Sequence, residues 1–248
     1  MKRKSFLMLP ISAFCLLTMA GCQEETSSKH HLFYAYSTEN LLSDWDYSSD
    51  EFEENEQFKN RDHTMRFNCI KNENEGMQLM ICAGKAINSF NFELPDVTGD
   101  HGTITKDHFS VAAAWYQETS GTNEKEAYTG FYPDALIPLE NYRFRRMDII
   151  EKGRAQSLYF NLKTDENTPA GTYKGTGKLH LDNETIDVPF EVTVYDAVMP
   201  NEVHQQSSFL IWYEQIPNGE LKNSGPDMEM KYFDFLVSKR LSPDGLPD

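Results

Sequence analysis

The sequence predicts a mainly β protein: an antiparallel β-sandwich followed by the first β-α unit of a truncated (β/α)8 barrel. Residues 156–164, 172–182 and 184–196 each alternate apolar and polar side chains, which is typical of half-buried antiparallel strands. After Pro200 the pattern changes to one short apolar strand at 209–213 and one amphipathic helix at 227–241. One strand and one helix cannot bury their own apolar faces. We therefore expect them to begin a larger α/β domain that continues beyond Asp248.

The clearest alternation lies in the two segments that flank residues 182–183. In 184–196, the apolar side chains at 186, 188, 190, 192 and 194 fall on one face. In 172–182, Tyr173, Leu179 and Leu181 share a face with two glycines. Asp182 and Asn183 between them form a typical two-residue turn. The segments are therefore predicted to pair as a hairpin, and many short strands of this kind favour a sandwich.

Further strands are predicted earlier in the chain. Residues 64–70 and 77–83 flank the turn-rich stretch 71–76 and are predicted to form a hairpin, with additional strands at 86–94 and 109–117. Cys69 and Cys82 lie on the two predicted hairpin strands. An oxidising exterior would permit a disulfide between them, and two buried free thiols are the alternative.

The first residues have the organisation of an export signal. Lys2, Arg3 and Lys4 precede an apolar run over 6–19, and small residues stand just before Cys22. The run is too short to span a membrane. The segment resembles a bacterial lipobox, which implies that Cys22 is lipidated and becomes the mature N-terminus. The alternatives are an ordinary signal peptide with an incidental cysteine, or an uncleaved anchor.

Four regions follow from these patterns. We expect a lipoprotein signal peptide at 1–21, a polar tether at 22–40, an N-terminal β-sandwich domain at 41–200 and the start of a truncated catalytic barrel domain at 201–248. The protein is thus predicted to be exported and held at the cell membrane through its N-terminal lipid.

Composition and motifs exclude several classes of function. The formal net charge is −16, and nucleic-acid recognition needs a basic face, so nucleic acid is not an expected partner. The seven histidines show no metal-ligand spacing, and no phosphate-binding loop or dinucleotide fingerprint is present. The acidic stretch that begins at Asp44 departs from a calcium loop, since Ser49 replaces the required glycine and Asn55 the final glutamate. We expect no metal and no cofactor.

Three sequence blocks together carry a family resemblance. They are residues 71–78 (KNENEGMQ), residues 131–139 (FYPDALIPL), and residues 168–175 (TPAGTYKG) continued by VPF at 188–190, VYD at 194–196 and MP at 199–200. In this order and spacing they resemble the N-terminal β-sandwich of glycoside hydrolase family 123-like proteins, which also form the domain of unknown function 4091 family. The resemblance extends from about Asn68 to Pro200, and weakly to Leu241.

The resemblance implies a sandwich that precedes a catalytic barrel and an activity that removes N-acetylgalactosamine from glycans. In such proteins an Asp-Glu pair on a barrel strand works with the substrate's own acetamido group. No position of this chain matches that pair, so no catalytic residue is assigned and the chain alone is expected to be inactive. A glycan is the partner that the resemblance implies for the full-length protein.

One short segment could still contact a substrate. Trp212, Tyr213 and Glu214 stand at the C-terminal end of the predicted barrel strand, where active sites of such barrels gather. An aromatic side chain there could stack on a sugar and Glu214 could bind hydroxyl groups; core packing between the two domains is the alternative. A different class of function also remains: a non-catalytic cell-surface lipoprotein that binds glycan or protein.

Overall fold

The computed structural model describes residues 29–38, 43–44, 63–119, 130–142, 149–203, 207–210 and 226–244. Two helices are present in these ranges, α1 (Leu139–Tyr142) and α2 (Pro226–Ser238), with a short 3-10 helix at Lys106–His108. The strands are β1 (His31–Tyr36), β2 (Met65–Lys71), β3 (Asn74–Cys82), β4 (Phe90–Glu93), β5 (Val97–Gly99), β6 (Gly102–Ile104), β7 (Phe109–Thr119), β8 (Gly130–Pro138), β9 (Ala155–Lys163), β10 (Gly171–Leu181), β11 (Glu184–Val198), β12 (Phe209–Leu210) and β13 (Pro243–Asp244).

These strands form two large sheets, which confirms the predicted mainly β class. The first sheet has the order β1-β3-β9-β7-β8 and is antiparallel throughout. The second has the order β2-β11-β10-β5-β6, with β4 also paired to β10. Within it β2 runs parallel to β11, whereas β10 and β11 form the predicted antiparallel hairpin. Leu181 pairs with Glu184, so Asp182 and Asn183 make the two-residue turn.

The predicted hairpin between β2 and β3 is wrong. The two strands follow one another in sequence but lie in different sheets, β2 beside β11 and β3 between β1 and β9. Likewise β9 does not pair with β10, although the two are consecutive strands. The apolar–polar alternation of a strand shows that one of its faces is buried. It does not show which other strand will be its hydrogen-bonded neighbour in the sheet. The predicted strand at 86–94 is also shorter, Phe90–Glu93.

The core lies between the inner faces of the two sheets. Phe190 of β11 occupies its centre, with its ring centroid 5.7–6.0 Å from those of four other phenylalanines. These rings are Phe67, Phe92, Phe109 and Phe160. Rings from both sheets therefore interdigitate, as in other sandwiches.

The residues after the sandwich do not join either large sheet. Phe209 pairs with Pro243 and Leu210 with Asp244, so β12 and β13 form a separate two-stranded parallel sheet, and α2 lies between them in sequence. Parallel neighbours require such a crossover connection. On α2, Leu236 is buried while Met230 and Phe235 are exposed. No helix among the described residues has the length and hydrophobicity needed to cross a membrane.

Candidate functional site

The connection between β2 and β3 begins the first of the three sequence blocks, and its asparagine has an unusual backbone conformation. Asn72 has a φ of 61°, in the left-handed region that asparagine tolerates better than most residues. Its side-chain Nδ2 donates to the carbonyl oxygen of Met199 and to Oδ1 of Asn201, each at 2.8 Å. Asn72 therefore fixes the turn against the chain that leaves the sandwich.

The next residue of the turn is held by a buried threonine. Oγ1 of Thr164 accepts a hydrogen bond of 3.0 Å from the Glu73 amide and donates one of 2.7 Å to the carbonyl oxygen of Ile70. The Glu73 carboxylate accepts a 2.7 Å hydrogen bond from the Ile70 amide. Thr164 is only 1% exposed, so these bonds satisfy main-chain groups that water cannot easily reach.

Gln78, the last residue of the block, has a similar role further along β3. Its side chain is 4% exposed, its Nε2 donates to the Tyr36 carbonyl at 3.0 Å, and its Oε1 accepts from the Ser157 hydroxyl at 2.8 Å. Gln78 thus links β1, β3 and β9 on the outer face of the first sheet. Asn72, Glu73 and Gln78 all bind within the protein, which favours a structural role for these side chains.

The C-terminal end of α2 reaches this same turn. Nη2 of Arg240 donates a 3.0 Å hydrogen bond to the main-chain carbonyl of Asn72. The helix ends in a Schellman motif, because the Arg240 amide binds the carbonyl of Val237 at 2.9 Å and the Leu241 amide binds that of Leu236 at 3.0 Å. Arg240 occupies the left-handed position of the motif, with a φ of 60°.

A cavity of about 680 Å³ opens between the turn, β9 and the end of α2. Its floor is the outer face of the first sheet, where Asn74 pairs with Lys163 and Gly76 with Asn161. Tyr159, two positions before Asn161 on the same strand, also lines it. Its remaining lining comes from Ser37, residues 72, 73 and 75, Thr164, Met199, Asn201 and residues 237–240.

Charged groups of both signs surround this cavity. The lining includes two acidic residues, Glu73 and Glu75, and three basic ones, Lys163, Lys239 and Arg240. Burial, and secondarily the negative charge of Glu73, raises the pKa of the Glu75 carboxyl. The cavity therefore offers hydrogen-bond donors and acceptors without a strong excess of either charge.

The sequence analysis did not single out these β9 residues. Tyr159, Asn161 and Lys163 are the polar partners of the apolar alternation in 156–164, which is the only sequence signal that they share. Every solvent-facing strand shows the same alternation. Recognising the site requires knowledge that β3 lies beside β9 and that the α2 end covers this part of the sheet.

A second cavity, of about 260 Å³, lies beside β10 and α1. Phe90, Leu139, Tyr142 and His180 contribute to its lining. Nε2 of His180 is 3.0 Å from a carboxylate oxygen of Glu93. This cavity is smaller and its exposed lining is mainly apolar, so it is a weaker candidate for a polar ligand.

Two predicted sites lie outside the described residues: the substrate-contact residues Trp212, Tyr213 and Glu214, and the lipidation site Cys22.

Cys69 and Cys82 are described, and both are free thiols. They lie on β2 and β3, which belong to opposite sheets, so of the two alternatives the structure has unbridged cysteines. Burial raises the pKa of the Cys69 thiol to about 12. Within the described ranges, no cluster of three or more His, Cys, Asp or Glu side chains is suited to hold a metal ion.

Among the solved structures with a similar fold is a family 123 glycoside hydrolase from Clostridium perfringens that hydrolyses glycolipid glycans. The TM-score is 0.63 over 85% of this chain, with 15% sequence identity. The fold resembles that of this hydrolase. This chain covers 36% of the hydrolase's length. At this level of identity the match establishes similarity of fold.

Two further matches are much weaker. One is AvmM, which catalyses macrocyclization in alchivemycin A biosynthesis. The match covers 54% of this chain and 87% of AvmM, at 7% identity and a TM-score of 0.31. The CooA pilin subunit of enterotoxigenic Escherichia coli matches 55% of this chain and 92% of its own at 13% identity and a TM-score of 0.27. Scores this low carry no functional argument. No protein-family model matches this chain, and no curated protein sequence does.

Proposed function

We propose that this chain is the N-terminal part of an exported, lipid-anchored glycoside hydrolase-like protein, in which the sandwich is the scaffold for a catalytic α/β domain. The observation that carries the proposal is the fold similarity to a family 123 hydrolase over 85% of the chain. The three sequence blocks at 71–78, 131–139 and 168–200 support the same assignment, because they resemble that family independently of the fold.

The region after the sandwich supports the presence of an α/β domain. The β12, α2 and β13 elements make one parallel strand-helix-strand unit. Phe209 and Phe235 are exposed in it. Parallel sheets are normally covered on both faces, so these side chains would be buried if further units extended the sheet. The catalytic pair would lie on those units, and none of the residues 1–248 is assigned to it.

Trp212, Tyr213 and Glu214 are the residues of this chain that we propose to contact substrate. They follow β12 directly, and ligand-binding residues of barrels gather after the C-terminal ends of strands. An aromatic side chain there would stack on a sugar ring, and the Glu214 carboxylate would accept hydrogen bonds from its hydroxyl groups. The substrate proposed from the family resemblance is a glycan ending in N-acetylgalactosamine.

The test uses the open reading frame extended past Asp248, with the 248-residue chain as the control. The extended product should release aryl alcohol from an aryl N-acetyl-β-galactosaminide, and the control should release none. In the extended product, Glu214→Gln should raise KM at least several-fold, while Glu229→Gln on α2 should leave it unchanged. A natural stop codon after Asp248 would reject the proposal, as would an extended product that cleaves no N-acetylhexosaminide.

The proposed lipid anchor has a separate test. Radiolabelled palmitate fed to a bacterial host should label the wild-type chain and recover it in the membrane fraction. Cys22→Ala should abolish the label, whereas Cys15→Ala, a substitution inside the signal, should retain it. Equal labelling of the Cys22→Ala variant and the wild type would show that Cys22 is not lipidated.

A further inference from the structure

Several polar side chains in the 680 Å³ cavity have no partner inside the described protein. Those of Asn74, Asn161 and Lys163, which share the outer face of the first sheet, make no hydrogen bond or ion pair with any other described residue. Polar groups in a half-enclosed space usually bind one another, water or a ligand. Their neighbours Asn72, Glu73 and Thr164 make hydrogen bonds within the turn, so the free groups lie on the floor of the cavity.

An aromatic ring lies among these groups. A Cβ atom added to Gly76 would overlap Oη of Tyr159 and be 2.9 Å from its Cζ, so the end of the tyrosine ring lies across the bare main chain of β3. Glycine at 76 is therefore what allows the ring to occupy this position. The ring is held on the cavity floor two residues from Asn161 on the same strand.

We propose that this cavity binds a neutral saccharide. Asparagine amides and a carboxylate pair with the alternating donors and acceptors of sugar hydroxyl groups, and an aromatic ring accommodates the apolar C–H face of a pyranose. The mixture of two carboxylates and three cations disfavours a strongly charged ligand. The volume lies in the range of small-molecule sites, roughly 300–1,000 Å³, and the polar lining selects a polyhydroxylated molecule over an apolar one.

This inference goes beyond the proposed function, because binding here requires no catalytic pair. It assigns a second glycan contact to the scaffold itself, formed by the first sheet and the end of α2 and made of residues other than 212–214. Such a contact would hold a glycan on the scaffold whether or not the full-length protein cleaves it. The proposed function determines only which saccharides are worth including in the test.

The experiment probes the full chain, purified in mild detergent, with an array of neutral oligosaccharides that includes N-acetylhexosamine-terminated members. Sialylated and sulfated oligosaccharides serve as the charged set. We expect binding to neutral members only, with the dissociation constant of the strongest measured by calorimetry. Asn161→Ala and Lys163→Gln should each raise that constant about tenfold or more.

Ser110→Ala is the matched control. Ser110 pairs with Asn161 from the neighbouring strand β7 and is exposed on the same face, but it does not line the cavity. This variant should bind as the wild type does. Circular dichroism and thermal unfolding establish that each variant is folded.

Three results would overturn the inference: no neutral oligosaccharide binds, only the charged set binds, or the affinity is unchanged in both Asn161→Ala and Lys163→Gln. These results are independent of hydrolysis by the extended product. An active enzyme with an unoccupied cavity refutes the binding site alone, and saccharide binding without hydrolysis by the extended product refutes the proposed function alone.

Discussion

The guanidinium group of Arg240 donates a 3.0 Å hydrogen bond to the main-chain carbonyl of Asn72, a residue 168 positions earlier in the chain. This bond joins the end of α2 to the β2–β3 turn. Both residues have left-handed backbone conformations, with φ of 60° for Arg240 and 61° for Asn72. The contact therefore depends on two turns, each held in an uncommon conformation by its own hydrogen bonds.

Two substitutions distinguish the conformational cost of the positive φ at residue 240 from the loss of the Arg240 side-chain hydrogen bond to Asn72. Arg240→Ala loses the bond to Asn72 and keeps a non-glycine residue at positive φ, whereas Arg240→Gly loses the bond but relieves the conformational cost, which is about 1 kcal/mol. We expect faster amide exchange in α2 for Arg240→Ala than for Arg240→Gly. Lys239→Ala is the control and should resemble the wild type. Equal exchange in the alanine and glycine variants would contradict this account.

Thr164→Val should destabilise the sandwich by about 1–3 kcal/mol. Valine has nearly the same shape but cannot donate to the Ile70 carbonyl or accept from the Glu73 amide, so buried main-chain groups lose their partner. Urea unfolding provides the measurement. Thr176→Val, on the exposed side of β10, should change the free energy of unfolding by less than about 0.5 kcal/mol. Similar losses for the two variants would refute the role assigned to Thr164.

Gly76→Ala should be destabilising by about 1–3 kcal/mol, because the new methyl group would overlap the Tyr159 ring and approach Cβ of Ser37 to 2.8 Å. The double variant Gly76→Ala with Tyr159→Ala should be more stable than the sum of the single effects predicts, since the ring is gone. Thermal unfolding of the wild type, the two single variants and the double variant gives the coupling free energy between residues 76 and 159. Additive effects would show that the ring does not rest on Gly76.

The stability of the protein should depend on the protonation of His30. His30 is 8% exposed, and its Nδ1 has no hydrogen-bond partner among the residues that the structure describes. Burial is the main cause that lowers its pKa below the ordinary 6.5. Nearby Glu184 and Asp182 oppose this effect, and Lys85 adds to it. The unfolded state then binds more protons than the folded state as pH falls through 6.5, so stability declines on acidification.

Urea unfolding at pH 7.5 and 5.5 measures this dependence. The free energy of unfolding of His30→Gln should fall less between the two pH values than that of the wild type, because glutamine has no titratable group. The control variant is His101→Gln, which replaces an exposed histidine that is not among the groups acting on His30, and it should keep the wild-type dependence. An unchanged pH dependence in His30→Gln would rule out His30 as the group responsible.

Cys69 and Cys82 should be alkylated only after unfolding. Raised thiol pKa values, about 12 for Cys69, leave almost no reactive thiolate at pH 8. Peptide mass spectrometry after maleimide treatment should show both residues unmodified in the folded protein and both modified in urea. A peptide pair linked by a disulfide, or rapid labelling of the folded chain, would contradict the structure.

The sequence alone was sufficient for the local features of the sandwich. Period-two alternation in 156–164, 172–182 and 184–196 located β9, β10 and β11 within a few residues, because one buried face leaves that signature in any half-buried strand. Asp182 and Asn183 identified the turn, and Pro226 with Asp227 identified the start of α2. These features depend on residues close together in the chain.

The tertiary structure decided which strands are neighbours, and with them the candidate site. Cys69 and Cys82 fall in opposite sheets, and Asn74 faces Lys163 across a ladder between segments nearly 90 positions apart, because pairing depends on the packing of the whole core. The turn at 71–76 was visible in the sequence, but the arrival of Arg240 beside it was not. A cavity exists only where distant segments meet, so its lining could not be derived from local patterns.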